Sequence, residues 1–322
     1  MHLPDGFLDA KTALLSYGVA AAGVSIALRQ VRSALKPREV PLLGLSAAFV
    51  FAAQMLNFPV LGGTSGHLVG GVLAAVLLGP SAAVLVITCV LMVQCLMFAD
   101  GGLSALGANV FNMGILGVGS GYAAFRAAKW LVRSEDIRAT VFASAFAGWC
   151  GTVLASIGCA GQLALSGTAP WSVAFPAMAS IHMLIGVGEG LATGLVVLAV
   201  LRVRPTLVAG AGHGAGEGRF GVVGYGLLIV LGLVLFVAPF ACPWPDGLEN
   251  VARTLGFSHR AVDPLIHAPI PEYHLPWAVS PALATAFAGC VGTGVVFVAA
   301  YAMARLLVPA FEGGKKDATS GN

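Results

Sequence analysis

Two long stretches of this chain contain no charged residue, and they constrain its fold more than any other feature. No Asp, Glu, Lys or Arg occurs in residues 40–99, and none occurs in residues 139–188. Each stretch is long enough for more than one membrane-spanning helix, because such a helix needs about 20 apolar residues. Charged residues make up only 10% of the chain, against about 25% in soluble domains. The sequence therefore predicts an all-α polytopic membrane protein.

Glycine, proline and charged residues divide the apolar sequence into about nine transmembrane helices. They form a group of seven and, after a linker, a group of two. The third predicted helix begins at His67 and ends at Gly79-Pro80, and its roughly 13 residues at about 1.5 Å each cannot cross about 30 Å of hydrocarbon. We therefore expect a polar loop at one end of it. The predicted helices cover residues 12–30, 41–57, 67–79, 81–98, 103–126, 139–165, 173–201, 221–240 and 280–306.

The basic residues predict the orientation in the membrane, since cytoplasmic loops carry an excess of Lys and Arg. With the N-terminus outside, only Lys11, Arg253 and Arg260 of the 17 Lys and Arg lie outside. The net charge of +3 then reflects topology and gives no indication of nucleic-acid binding. The first residues also lack the basic region and cleavage site of a signal peptide. Met1 is therefore expected to be retained and to face the exterior.

Composition divides the chain into two predicted modules. Residues 203–220 are rich in glycine, which predicts a flexible cytoplasmic linker. This linker separates a seven-helix module, residues 1–202, from a two-helix module, residues 221–307. The outer loop of the two-helix module contains Pro245-Asp246-Gly247-Leu248-Glu249. Residues 308–322 are predicted to form a cytoplasmic tail.

The first two residues, Met1 and His2, can supply most of a metal site by themselves. The N-terminal amine, the His2 amide nitrogen and the His2 imidazole can bind one ion together and occupy three of four in-plane positions. Planar four-nitrogen sites are typical of Ni(II) and Cu(II), and low-spin Co(II) also fits. Mg²⁺ and Ca²⁺ prefer oxygen and do not repay the cost of deprotonating an amide. The pattern therefore indicates a site for nickel or cobalt.

His67 is the candidate for the fourth nitrogen. It follows Gly62-Gly63-Thr64-Ser65-Gly66, whose glycines permit close backbone approach, and it lies on the same predicted side as the N-terminus. A histidine in this position is more often a helix cap or a buried hydrogen-bonded residue, but its combination with His2 favours ligation. Metal-bound histidines usually donate their second ring N–H to an oxygen. Candidates for such supporting contacts, for which loop capping fits equally well, are Asn57, Thr64, Ser65, Asp100 and Asn109.

Three segments of the sequence resemble the CbiM/NikM family, the substrate-binding membrane components of energy-coupling-factor transporters for nickel and cobalt. They are Met1 to Leu8, Gln54 to Pro59 continuing through Gly62 to His67, and Phe98 to Gly102 continuing through Asn109 to Met113. The last hundred residues resemble the CbiN/NikN partner through the Pro-Asp-Gly-Leu-Glu motif, so the whole chain resembles a fused NikMN-type protein.

This resemblance implies a metal site made by Met1, His2 and His67. It implies a transmembrane coupling subunit of the NikQ/CbiQ type, ATP-binding subunits of the NikO/CbiO type and a place in the plasma (inner) membrane of a bacterium or archaeon. The chain has no Gly-x-x-x-x-Gly-Lys-Ser/Thr phosphate loop, so it is not expected to hydrolyse ATP by that route itself. The resemblance implies that it is not an enzyme and has no resident cofactor. The predicted function is Ni(II) uptake, with Co(II) uptake for cobalamin synthesis as the alternative.

Two other classes of function stay open at this point. Gly63-Thr64-Ser65-Gly66 fits the serine pattern of rhomboid-like intramembrane proteases, which would require Ser65 and His182 within hydrogen-bond reach. A haem protein would use His67 and His182 as axial ligands. Glu189 is the lone acid deep in a predicted helix, and such acids are functional candidates by default; the alternative interpretation is a packing partner for His182.

Overall fold

Within a bilayer no water is available to hydrogen-bond the main chain, so the apolar stretches have to satisfy their amides internally as helices. The computed structural model describes residues 1–134, 136–203, 219–275, 278 and 280–308. Most of the predicted linker, residues 204–218, and most of the predicted tail, residues 309–322, lie outside the described residues.

The described residues are mostly helical. The α-helices are α1 (Ala10–Ala34), α2 (Val40–Gln54), α3 (Gly71–Leu78), α4 (Pro80–Phe98), α5 (Leu106–Asn109), α6 (Val118–Val132), α7 (Ile137–Leu165), α8 (Trp171–Val203), α9 (Arg219–Phe236), α10 (Gly247–Thr254) and α11 (Pro281–Leu307). A π-helix, Val110–Gly117, joins α5 to α6. Short 3-10 helices cover Pro37–Glu39, Ala238–Phe240, Ser258–Arg260 and Pro271–Tyr273.

Six of the described helices are long and apolar enough to cross a membrane, namely α1, α4, α7, α8, Gly221–Phe240 and α11. The chain is thus a multi-pass membrane protein, although the expected number of nine spans is not confirmed. The other three predicted spans are short or interrupted. Helix α2 has 15 residues, and α3 has 8. The predicted span 103–126 is divided by the eight-residue π-helix between α5 and α6.

A small β-hairpin replaces the expected helix start at His67. Strand β1 (Phe58–Val60) pairs antiparallel with strand β2 (Thr64–Gly66), with Pro59 opposite Ser65. Gly62 and Gly63 close the turn with φ of +87° and +73°, a region that glycine adopts without steric cost. The third helix is short, as predicted, but it begins at Gly71 because the hairpin and an extended segment occupy the residues before it. The prediction that it begins at His67 is wrong.

Small residues let the helices approach closely, as is common in membrane bundles. A Cβ atom added to Gly190 of α8 would lie 2.5 Å from the carbonyl oxygen of Ala145 on α7. Helix α11 of the second module packs on α2 and α4 of the first in the same way, with Gly292 facing Phe51 and Phe98. One buried cluster of apolar side chains therefore includes residues of both modules.

Gly292 and Gly294 provide a matched test of this interface. A Cβ at Gly292 would lie 2.1 Å from Phe51 Cζ, whereas one at Gly294 would meet no atom within 4 Å. We expect Gly292→Val to destabilise the protein by about 1–3 kcal/mol through overpacking, and Gly294→Val to have little effect. Thermal unfolding of the purified protein in detergent would measure both, and equal melting temperatures would contradict the described packing of α11.

Candidate metal centre

The N-terminal residues enter the protein and are held there by main-chain hydrogen bonds. Met1 is 4% exposed and Leu3 is fully buried. The amide of Leu3 donates to Asn109 Oδ1 at 2.8 Å, and Asn109 Nδ2 donates back to the Leu3 carbonyl at 3.1 Å. Gly102 N also donates to this carbonyl at 2.8 Å. Asn109, one of the predicted supporting residues, therefore fixes the main chain beside His2.

Asp5 secures the turn that follows. Its Oδ1 accepts hydrogen bonds from Ser104 N at 2.7 Å and from Ser104 Oγ at 2.5 Å. Its Oδ2 accepts from Leu103 N and from Leu265 N, each at 3.3 Å. Gly102 allows the close approach, because a Cβ there would lie 2.2 Å from Asp5 N. Since Leu265 belongs to the second module, both modules hold the N-terminal segment.

Two nitrogen donors meet at this buried N-terminus. The Met1 amine lies 3.0 Å from His67 Nε2. The other ring nitrogen of His67, Nδ1, lies 3.1 Å from the Leu68 carbonyl oxygen, so a proton on Nδ1 leaves the Nε2 lone pair directed at Met1. Burial, and then the nearby N-terminal charge, lower the pKa of His67 to about 3. The imidazole is therefore neutral at physiological pH, as a metal ligand must be.

The imidazole of His2 stacks on that of His67, with ring centroids 5.3 Å apart and planes 23° apart. Its Nδ1 lies 3.3 Å from Asp100 Oδ1, and its Nε2 lies 3.2 Å from Gln94 Oε1. Burial lowers the pKa of His2 in spite of the opposing charge of Asp100. The structure thus brings the three predicted ligand residues together, with both ring nitrogens of His2 directed at oxygen atoms.

The Met1 amine has a second partner, Asp246, which comes from the two-helix module. Asp246 Oδ2 lies 2.5 Å from the amine. Asp246 and Glu249 form a capping box at the start of α10, in which Asp246 Oδ1 accepts from Glu249 N at 2.8 Å. Burial alone would raise the pKa of Asp246, but the N-terminal ammonium holds it below its usual range. The Pro-Asp-Gly-Leu-Glu motif therefore lies at the candidate metal centre.

Three of the predicted supporting residues contact this second module and no histidine side chain. Thr64 Oγ1 donates to the Pro245 carbonyl at 2.9 Å, and Ser65 Oγ donates to the Trp244 carbonyl at 2.8 Å. The carbonyl of Asn57 accepts from Cys242 N at 2.8 Å. Among the five predicted supporting residues, Asp100 is the one whose side chain reaches a candidate ligand, His2.

Sequence reasoning missed two buried glutamines. Gln94, the partner of His2, donates through Nε2 to Gln54 Oε1 at 2.8 Å, and Gln54 Nε2 donates to the Val69 carbonyl at 2.9 Å. These hydrogen bonds connect His2 to the main chain just beyond His67. The signal in the sequence was the presence of a single glutamine in each of two otherwise apolar helices, α2 and α4.

Glu189 contributes to the same polar network from α8. Its Oε2 accepts from Val69 N at 2.6 Å, and its Oε1 accepts from Gly70 N at 3.0 Å. Glu189 therefore bonds to the main chain beyond His67, and His182 Nδ1 bonds to the Met178 carbonyl, 2.8 Å away. The interpretation of Glu189 as a packing partner for His182 stays a prediction.

The protease and haem interpretations find no support in these contacts. Ser65 Oγ bonds to Trp244 and His182 Nδ1 bonds to Met178, so neither atom makes the bond of a Ser-His dyad. His67 Nε2 faces the Met1 amine at 3.0 Å, which leaves no room for a macrocycle on that nitrogen. In the part of the chain that the structure describes, no group of three or more His, Cys, Asp or Glu side chains is placed to hold a metal ion.

Two family models match the chain. The model described as "Cobalt uptake substrate-specific transmembrane region" matches residues 2–207, and the PDGLE domain model matches residues 220–309. A protein of Archaeoglobus fulgidus described as "Putative fused nickel transport protein NikMN" is 37% identical over 95% of this chain and 98% of its own length. The cobalt transport protein CbiM of Geobacter sulfurreducens is 32% identical over 83% of this chain and 81% of its own.

A solved structure also matches the first module. The crystal structure of a truncated transition metal transporter covers 63% of this chain and 99% of its own, with a TM-score of 0.57 and 33% sequence identity. The fold of the larger module is therefore one already seen in a transition metal transporter.

The burial of the N-terminal amine can be tested without any metal. We expect Gly102→Ala to displace the N-terminal segment, because the new Cβ would collide with the Asp5 main chain at 2.2 Å. The Met1 amine should then react with an acylating reagent at least about tenfold faster, which corresponds to about 1.4 kcal/mol of lost local stability. Mass spectrometry of the N-terminal peptide would measure the rate. The control is Gly18→Ala, where no atom lies within 4 Å of the new Cβ. Equal acylation rates in the two variants would contradict the described burial of the Met1 amine.

Proposed function

The chain belongs to the family of the cobalt uptake substrate-specific transmembrane region, and we propose that it is the substrate-binding membrane component of an importer for Ni(II). Its relatives are nickel and cobalt transport proteins of the CbiM and NikMN types. Relatives of this kind indicate a transporter component and not an enzyme. The observation that supports a metal site in this chain is the meeting of the Met1 amine with His67 Nε2.

The proposed ligands are the Met1 amine, the His2 amide nitrogen, the His2 imidazole and the His67 imidazole. Two nitrogens bound at about 2.0 Å and at a right angle lie about 2.8 Å apart, and the Met1 amine and His67 Nε2 are 3.0 Å apart before any ion is bound. His2 can bind through Nδ1 if that atom leaves Asp100, while an Nε2–H keeps its bond to Gln94. This second bond would orient the ring, as oxygen partners commonly do for metal-bound histidines.

Loading would replace two protons with one divalent cation. In the structure the Met1 amine pairs with Asp246 at 2.5 Å, and this amine and the His2 amide must each give up a proton before their nitrogens can bind an ion. The bound amine would keep two N–H groups, so Asp246 would exchange an ammonium partner for a metal-bound amine as the ion enters. This gives the second module a role in loading or gating, because the segment Trp244–Asp246 also holds Thr64 and Ser65.

The remaining parts of the proposal concern transport. The N-terminus would face the exterior of the plasma (inner) membrane, and a coupling subunit of the NikQ/CbiQ type with ATP-binding subunits of the NikO/CbiO type would drive delivery to the cytoplasm. Metal-bound and metal-free states must differ in how they pack on the coupling subunit, since a ligand shifts an equilibrium only by its differential affinity for the two states. Cobalt uptake by the same mechanism is the second candidate, favoured by the family name itself.

Uptake by whole cells would distinguish the two metals. Cells that express the chain with its coupling and ATP-binding subunits would receive equal concentrations of radiolabelled nickel and cobalt. We expect nickel to accumulate in excess, because Ni(II) gains more from a planar nitrogen field than high-spin Co(II) does. If cobalt accumulates preferentially, cobalt and not nickel is the substrate. If neither metal accumulates, the transport proposal is wrong.

Extension of the N-terminus would test the chelate itself. Two alanines placed before Met1 convert the amine into a peptide amide and leave every side chain intact. A single added residue is unsuitable, because it would place the histidine third and let a new amine, two amides and the imidazole form another planar chelate. We expect the affinity for Ni(II), measured by calorimetry on the purified protein, to fall at least about 100-fold, or about 2.7 kcal/mol. The same two residues added at the C-terminus are the control. An unchanged affinity in the N-terminally extended protein would remove the Met1 amine from the ligand set.

A further inference from the structure

The cavity at the Met1 amine is lined by one imidazole that the proposed four-nitrogen site does not use. Its lining includes Met1, His67 and Asp246, and α7 and α8 contribute Thr152 and His182. His182 is 2% exposed. It thus lines the same cavity as Met1 and His67, two of the proposed ligand residues, although it lies more than a hundred residues from either in the sequence.

The ring of His182 is oriented in the way expected of a metal ligand. Its Nδ1 lies 2.8 Å from the Met178 carbonyl oxygen one turn earlier in α8, so a proton on Nδ1 donates there and leaves the Nε2 lone pair free. His67 shows the same arrangement, with Nδ1 on the Leu68 carbonyl and Nε2 directed at Met1. A backbone carbonyl that accepts the second N–H is the usual support of a ligating histidine.

Gly247 of the Pro-Asp-Gly-Leu-Glu motif keeps the space in front of this ring open. A Cβ atom at Gly247 would lie 3.0 Å from His182 Nε2 and 2.9 Å from its Cε1. The edge of the His182 ring that carries Nε2 therefore faces Gly247. The residue before Gly247, Asp246, pairs with the Met1 amine. Any larger residue at this position would occupy the space through which an ion could reach Nε2.

A second polar group in the cavity is the hydroxyl of Thr152. Thr152 is 2% exposed, and among the described residues its buried Oγ1 makes no hydrogen bond. Buried hydroxyl groups are usually hydrogen-bonded, and one without a partner needs an explanation. A hydrated cation that passes through the cavity would supply the missing partner.

We propose that His182 is the next ligand of the transported ion after Met1 and His67, and that it receives the ion through Nε2. This proposal depends on the function proposed above. Imidazole nitrogen suits the borderline cations Ni(II) and Co(II), so the ion keeps a nitrogen ligand as it leaves the planar site. His182 is 11 residues from the start of α8, which is about 16 Å along the helix axis. In the predicted orientation this distance is the depth of the shared cavity below the outer end of α8.

Two substitutions separate ligation from a structural role. His182→Asn keeps an N–H donor that can reach the Met178 carbonyl but lacks the ligating nitrogen, whereas His182→Cys loses that donor and supplies a thiolate that binds nickel. We expect His182→Asn to lower nickel uptake by cells at least about tenfold and His182→Cys to retain most of it. The affinity of the purified His182→Asn protein for Ni(II) should stay within about twofold of the original, because the planar site is intact.

The opposite order, with His182→Asn active and His182→Cys inactive, would show a structural role and overturn the proposal. The same two substitutions at His259, which is exposed, are the matched controls and should leave uptake unchanged. If the unsubstituted protein neither binds nor accumulates nickel, the function proposed above fails, and that result is distinct from a failure confined to His182.

A spectroscopic measurement settles the case in which both His182 variants lose uptake. His2→Ala breaks the planar chelate and leaves Met1 and His67 in the cavity. In the double variant His2→Ala, His182→Cys, added Ni(II) should produce a thiolate-to-nickel charge-transfer band. The single variant His2→Ala, which keeps all native cysteines, gives the background. Absence of the band in a folded double variant would show that residue 182 does not reach the ion, and the proposal would be wrong.

Discussion

The buried N-terminal amine is the feature on which the rest of the structure depends. A positive charge removed from water is costly unless a partner of opposite charge and good hydrogen bonds accompany it. Asp246 supplies that charge at 2.5 Å, and it belongs to a different module from the one that carries Met1. Because of this pairing, the pocket of the seven-helix module is complete only when the two-helix module is seated on it. The hydrogen bonds of Thr64 and Ser65 to carbonyls of residues 244 and 245 then follow from the same docking.

A polar network inside an apolar bundle positions the second nitrogen donor. The main chain at Val69 is held from two directions, by Gln54 at its carbonyl and by Glu189 at its amide. Both partners act on residues that follow His67 directly, and Gln94 extends the network to His2. A network in which each member is satisfied fixes geometry better than apolar packing alone, because a lost partner leaves a buried polar group without compensation. Gln54 and Glu189 therefore fix the main chain just beyond His67 without touching its imidazole, whereas Asp246 contacts the Met1 amine directly.

Much of this arrangement could be predicted from the sequence. The features that could not be predicted share one cause. Charge-free stretches predicted the membrane helices, and Gly79-Pro80 predicted a short third helix. His2 was predicted as a ligand from local chemistry, because an N-terminal histidine can chelate through its own main chain, and His67 was predicted from its combination with His2; the structure places the two rings together, with centroids 5.3 Å apart. By contrast, Asp246, Gln54 and Gln94 act through hydrogen bonds and an ion pair to residues in other parts of the chain. Helical periodicity reports which environment a residue prefers, and it carries no information about such pairings. The π-helix of residues 110–117 was missed because its apolar sequence is equally compatible with an ordinary α-helix.

The continuity of the chain gives the contact between Asp246 and Met1 a further consequence. When two modules are linked covalently, docking of one on the other becomes intramolecular, with an effective concentration in the millimolar range for a short flexible connection. Apolar packing of α11 on α2 and α4 adds to this effect, so the ion pair between Asp246 and Met1 does not have to hold the second module in place by itself. The polar contact at Met1 can therefore be broken and remade while the module stays docked. The covalent link and the apolar interface maintain occupancy, and the exchange of ligands at the amine is separated from it.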